Sequence, residues 1–261
     1  METNVIFALI LTLIAGLATS LGSVFAIFAK RANTKFLAGS LGFSAGVMIY
    51  ISMIELFSNS DSYLSSPMGE YWGYIAATCA FFGGVILIGL IDYFIPSAEG
   101  DIGNLKEGDK TAALSRVSFV TALAIAIHNF PEGMVTFTSA LKEPHLGIAI
   151  AISIAIHNIP EGIAMSLPVY YSTGSKKKAF LVSFLSGFAE PIGAVIGYVI
   201  LRPFLNDTLF GILFGAIAGI MVFISIEELL PMAREYEKSK VTIIGFILGM
   251  AVIALSFILF L

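Results

Sequence analysis

Residues 128–133 read His-Asn-Phe-Pro-Glu-Gly and residues 157–162 read His-Asn-Ile-Pro-Glu-Gly, each inside a long apolar stretch. A charged side chain near the centre of a lipid-embedded helix costs roughly 3 kcal/mol. A satisfied buried histidine would explain one copy. Two copies with the same spacing and the same proline point to a polar interior site, most simply a metal site. On a helix turning about 100° per residue, Glu132 falls about 40° from His128 and Asn129 about 100° from it, so the three share one arc. His157, Asn158 and Glu161 repeat the pattern. Facing the arcs gives two neighbouring clusters. The first holds His128, Glu132, His157 and Glu161; the second holds Asn129 and Asn158, with the same two glutamates as bridges. Glu190, in Ser-Gly-Phe-Ala-Glu-Pro-Ile-Gly at the centre of another apolar stretch, is the natural extra ligand of the second. Imidazole with carboxylate suits Zn²⁺, Fe²⁺, Mn²⁺ or Co²⁺, and the lack of thiolate argues against Cu⁺.

The remaining motif residues fit this purpose. Pro131 and Pro160 have no N–H, so the carbonyls of Ile127 and Ile156 lose their helical donors. Such carbonyls are tolerated at membrane depth where they line a polar cavity. Gly133 and Gly162 allow close helix approach. Glu55, Glu227 and Glu228 read either as vestibule ligands or as ordinary helix-end groups, His145 as an outer loop residue, and Met48, Met53, Met165 and Met221 as packing residues.

The elements that must carry these groups are transmembrane helices. The 261-residue chain is 57% hydrophobic and 12% charged, which defines an all-α polytopic membrane protein. Runs long enough to cross the hydrocarbon lie at about 5–29, 36–57, 72–94, 112–139, 146–170, 177–201, 208–231 and 241–261, eight spans in one integral membrane domain over 1–261. They are too long and too continuously apolar for barrel strands. Lys30, Arg31, Lys35, Lys106, Lys110, Arg116, Lys176, Lys177, Lys178, Arg234, Lys238 and Lys240 all fall in alternate loops, leaving only Lys142 and Arg202 opposite. The positive-inside rule then puts both termini outside the cytoplasm. The net charge of −4, without a basic stripe, excludes a nucleic-acid role, and the single Cys79 excludes an internal disulfide. Residues 96–111, rich in glycine and mixed charges, read as a cytoplasmic linker.

The chain also repeats itself end to end. Residues 45–57 (AGVMIYISMIELF) match residues 218–230 (AGIMVFISIEELL), with Glu55 opposite Glu228. Gly16, Ala18 and Gly22 match Gly187, Ala189 and Gly193, and Thr19 stands opposite Glu190. Paired spans are offset by five in span order, an odd number, and so run in opposite directions. This is an inverted-topology repeat with a 3+2+3 plan, an arrangement that builds sites near the midplane of secondary transporters.

Residues 128–133, 157–162 and 187–193 closely resemble spans 4, 5 and 6 of ZIP-family metal transporters, particularly the bacterial ZupT type, and the resemblance covers essentially the whole chain. It implies uptake of Zn²⁺ and related divalent ions across the cell membrane into the cytoplasm, with the metal as cargo and no prosthetic group. It implies a first site of His128, Glu132, His157 and Glu161 and a second of Asn129, Glu132, Asn158, Glu161 and Glu190. It further implies a homodimer in the lipid bilayer that moves spans 1, 4, 5 and 6 as a unit. Many members carry a histidine-rich loop between spans 3 and 4, but 95–116 contains no histidine. The rival from another class is an intramembrane metal-dependent hydrolase, which keeps an open coordination position and has no need of two-sided symmetry. A proton-coupled organic solute carrier would leave the bridging glutamates unexplained.

Overall fold

The computed structural model describes residues 2–28, 34–94, 127–237 and 240–260. Within these, the chain forms helices joined by short turns, as expected where no water is present to satisfy backbone groups. They are α1 (Glu2–Phe28), α2 (Thr34–Met68), α3 (Glu70–Phe94), α4 (127–142), α5 (Pro144–Thr173), α6 (Lys176–Phe204), α7 (Asp207–Tyr236) and α8 (Val241–Phe260). Seven are long and apolar enough to cross a membrane. The described part of the fourth expected span is α4; the rest of that span and the 96–111 linker lie outside the described residues.

Local chemistry sets the helix ends. Gly69 (φ +82°) stops α2 and Gly174 (φ +65°) stops α5, each in a backbone conformation that costs glycine no Cβ clash. Pro144 opens α5 where its missing N–H is harmless. Asn206 caps α7 by accepting the Leu209 N–H at 2.8 Å. Helix α6 is interrupted at Phe188, between Lys176–Gly187 and Ala189–Leu201, three residues before Pro191. Helix α2 runs well past the sequence boundary at 57. Its polar extension is satisfied within the protein: the Ser60 hydroxyl donates to the Gly211 carbonyl of α7 at 2.7 Å and Ser65 to Asp61 at 2.8 Å.

The helices pack through glycine. A Cβ at Gly42 or Gly46 of α2 would lie 2.2 Å or 2.0 Å from the Thr242 or Phe246 carbonyl oxygen of α8. At the matching positions of α7, a Cβ at Gly215 would lie 2.9 Å from the Ala80 methyl of α3, and one at Gly219 would lie 2.0 Å from the Phe81 oxygen. Such contacts let backbones approach where lipid supplies no hydrophobic drive for association. Helices α3 and α8 are the outermost of these pairs: 17% and 22% of their apolar windows are buried, against 67% for α5. Met48, Met165 and Met221 are packed in the interior as expected, whereas Met53 is exposed.

Candidate metal site

Helix α5 lies centrally, against α1, α2 and α6, and carries the second hexapeptide into the interior. All seven candidate ligands, His128, Asn129, Glu132, His157, Asn158, Glu161 and Glu190, are buried, none more than 1% exposed. Their elements are held together by the motif glycines. A Cβ at Gly162 would lie 1.8 Å from the Thr19 carbonyl oxygen of α1, and one at Gly133 would lie 1.9 Å from the Glu190 carbonyl oxygen of α6. Thr19 and Glu190 are the pair matched in the sequence, so each motif helix rests on an equivalent level of its partner.

The histidines and glutamates pair crosswise. His128 Nε2 is 3.2 Å from Glu161 Oε2, and His157 Nε2 is 3.1 Å from Glu132 Oε1. Each motif thus supplies an imidazole to the carboxylate of the other. Ligand atoms of Glu132, His157 and Glu161 lie within 4.8 Å of one another. The Ser44 hydroxyl of α2 donates to Glu161 Oε1 at 3.0 Å, an orienting contact that the sequence reading missed. Its only signal was a small polar residue in the Ser40–Gly46 stretch opposite a motif helix.

The amides sit one level away. Asn129 Nδ2 donates to the Ser186 carbonyl at 3.1 Å; Asn158 Nδ2 donates to the Ala15 carbonyl at 3.0 Å and to Glu190 Oε1 at 2.5 Å. With the amide nitrogens committed to these acceptors, Asn129 Oδ1, Asn158 Oδ1, Glu132 Oε2 and Glu190 Oε2 are buried without a hydrogen-bond partner. A buried polar atom left unsatisfied costs about 1–3 kcal/mol. Four oxygens of this kind, among three buried carboxylates, suit a cation. They belong to four of the five residues expected for the second cluster; the fifth, Glu161, has Oε1 on the Ser44 hydroxyl and Oε2 against His128.

Outside the cluster, His128 Nδ1 lies 3.5 Å from Glu228 Oε2 of α7, whereas Glu227 is turned outward and exposed. Glu55 does not end its helix; it lies within a π-helical turn, Ile51–Leu56, in the middle of α2. His145 lies in the first turn of α5 rather than in a loop.

A sequence model of the ZIP zinc transporter family matches residues 97–256. The zinc transporter ZupT of Clostridium perfringens is 54% identical, covering 98% of this chain and 97% of its own length. That of Streptococcus mutans is 52% identical and that of Chlorobaculum parvum 50%, both over 100% of each chain. The chain belongs to the ZIP zinc transporter family. It is therefore a multi-pass membrane transporter and not the hydrolase considered as its rival.

Proposed function

We propose that this protein carries zinc into the cytoplasm, with Fe²⁺, Mn²⁺ and Co²⁺ as further cargo, through a binuclear site at the membrane midplane. The first ion takes His128, Glu132, His157 and Glu161. The second takes Asn129, Asn158 and Glu190 together with the bridging Glu132 and Glu161. The observation that carries this reading is the set of four buried, unpartnered oxygens at the second position, beside the crossed His–Glu pairs of the first. Imidazole and carboxylate oxygen together select borderline divalent ions. The names of the relatives, all zinc transporters, support the choice of cargo.

Alternating access follows from a 3+2+3 inverted repeat across the single domain. Its support is the mirrored packing. The α2–α8 contacts at Gly42 and Gly46 correspond to the α7–α3 contacts at Gly215 and Gly219, and Gly162 on Thr19 corresponds to Gly133 on Glu190. Two structurally matched halves of opposite orientation provide equivalent paths from either face to one site. The termini lie outside the cytoplasm by the distribution of Lys and Arg.

The test is zinc uptake into proteoliposomes containing wild-type protein or Glu132→Ala. Wild-type protein should fill the vesicles and the variant should not. Equal uptake by both at equal reconstitution would overturn the binuclear reading.

A further inference from the structure

The outer part of the α2–α5 seam holds a cavity of about 390 Å³ that is separate from the buried cluster. Its wall includes Glu55 and Asn59 of α2, Glu143 and His145 at the start of α5, and apolar groups of α8. The two helices run antiparallel here. Ser44 meets Glu161 deep in the seam, and Glu55 lies about 16 Å further along α2. At Glu55 the cavity is lined by Leu146 and Ala149, correspondingly far back along α5. Cavity and cluster are two levels of one seam.

The wall carries two carboxylates and an imidazole but no lysine or arginine. Lys142, next to Glu143 in sequence, is turned away to pair with Asp207, its ammonium 5.1 Å from the Tyr63 ring centroid. Asn59 Nδ2 donates to Glu55 Oε1 at 2.9 Å and to the Glu55 carbonyl at 2.8 Å, which fixes the Glu55 rotamer. An independent observation comes from the other half of the repeat. Glu228, the counterpart of Glu55, sits on the matching π-helical turn, Ser225–Leu229, and there it contacts the candidate ligand His128. These turns shift the register of the helix face that follows and are frequent at functional sites.

We propose that this outer cavity is a capture site for a hydrated divalent cation, with Glu55, Glu143 and His145 as its donors and Asn59 as the positioning residue for Glu55. Ligand atoms of Glu55, Glu143 and His145 do not all lie within 4.8 Å of one another, which suits an ion that keeps part of its water shell. An imidazole beside two carboxylates favours zinc-like over magnesium-like ions. Negative groups in a cleft raise the local cation concentration and the rate of capture. The proposal rests on divalent ions being the cargo and adds the place where they are first held.

Zinc chloride titrated into full-length protein in lipid nanodiscs tests this. The proteins are wild type, Glu55→Gln/His145→Ala, Glu132→Ala/Glu161→Ala and the combination of all four changes. The outer variant should lose one weakly bound zinc, the buried-cluster variant should keep it, and the combination should bind none. In proteoliposomes the outer variant should keep its maximal rate while the half-saturating zinc concentration rises about tenfold at low salt, and less at high salt. If the double outer variant does not fold, Glu143→Gln, a change on an exposed side chain, takes its place. Zinc number, affinity and half-saturation equal to wild type would overturn the capture site. Failure of the wider reading is separate: Glu132→Ala/Glu161→Ala would then carry zinc as wild type does, whatever the outer variant shows.

Discussion

Gly16 of α1 and Gly187 of α6 face each other backbone to backbone: a Cβ on Gly16 would lie 2.3 Å from the Gly187 oxygen, and one on Gly187 would lie 2.2 Å from the Gly16 oxygen. These are matched positions of the sequence repeat, and they touch. Residues related by a two-fold axis contact one another only close to that axis, so in the proposed inverted repeat this pair marks where the two halves meet. Glu190 and Thr19 each lie three residues further along their helices, which puts the second candidate cluster one turn from this contact.

Replacing the motif glycines should therefore break the assembly that holds the ligands. The added methyl of Gly162→Ala would sit 1.8 Å from a backbone oxygen that cannot rotate away. Overpacking of this kind costs about 1–3 kcal/mol, occasionally more. Gly133→Ala should behave alike. Gly83→Ala, with nothing within 4 Å of the new methyl, should be neutral or stabilising by up to about 1 kcal/mol. Thermal unfolding of the three variants in detergent measures the contrast; equal midpoints would contradict the close approach.

The Glu161 carboxylate is held by a residue that ligates nothing. Ser44→Ala removes its 3.0 Å hydrogen bond and leaves the proposed ligands in place. Loss of a group that orients a metal ligand typically costs about 10–100-fold in metal affinity. Zinc affinity should fall within that range, with Ser44→Thr restoring part of it. Unchanged affinity in Ser44→Ala would mean that α2 does not help orient the cluster.

How much of this was legible beforehand depends on periodicity. The doubled His-Asn-x-Pro-Glu-Gly lies on helices of ordinary pitch, so its arcs could be drawn; all seven candidate ligands are buried, and six of them meet in the pairs His128–Glu161, His157–Glu132 and Asn158–Glu190. The crossed pairing was not legible, because it depends on how far one helix slides along another. Ser44 was missed because one hydroxyl in a run of small residues looks the same whether it packs or bonds. Glu55 was placed at a helix end because Ser58, Asn59, Ser60 and Asp61 resemble a boundary, yet the Asn59 and Asp61 side chains bond within α2 and that of Ser60 bonds to α7. His145 was read as loop although Pro144 marks the first turn of a helix.

The orientation can be tested with single cysteines, because Cys79 is the only native thiol. Ser175 lies half-buried in the turn between α5 and α6, and Asn4, in the first turn of α1, is exposed. In a Cys79→Ser background, an impermeant thiol reagent applied to intact cells should label Asn4→Cys and spare Ser175→Cys until the membrane is opened. The reverse pattern would invert the assignment of capture and release mouths.

Ser52 and Ser225 lead to the last prediction. Each hydroxyl donates at 2.7 Å to the carbonyl four residues back, Met48 and Met221, and each lies in a π-helical turn. The turn in α2 carries Glu55 at the outer cavity, and the turn in α7 carries Glu228 against His128. In the proposed orientation the C-terminal end of α7 faces the cytoplasm, which puts Glu228 on the release side of the buried cluster. It can draw His128 away from a departing ion or pass that ion inward as a transient ligand. Glu228→Gln keeps the side-chain shape and removes the charge. At 3.5 Å the contact is loose, so its loss belongs at the lower end for charge-assisted bonds, about 1.5 kcal/mol or roughly tenfold in rate. The variant should lower the maximal rate of zinc uptake by about that factor and leave the half-saturating concentration near wild type, opposite in kind to the outer variants. Initial-rate curves for Glu228→Gln and Glu55→Gln at two salt concentrations decide it. A shift of the same parameter in both would mean that the two glutamates do not serve opposite ends of the transport cycle.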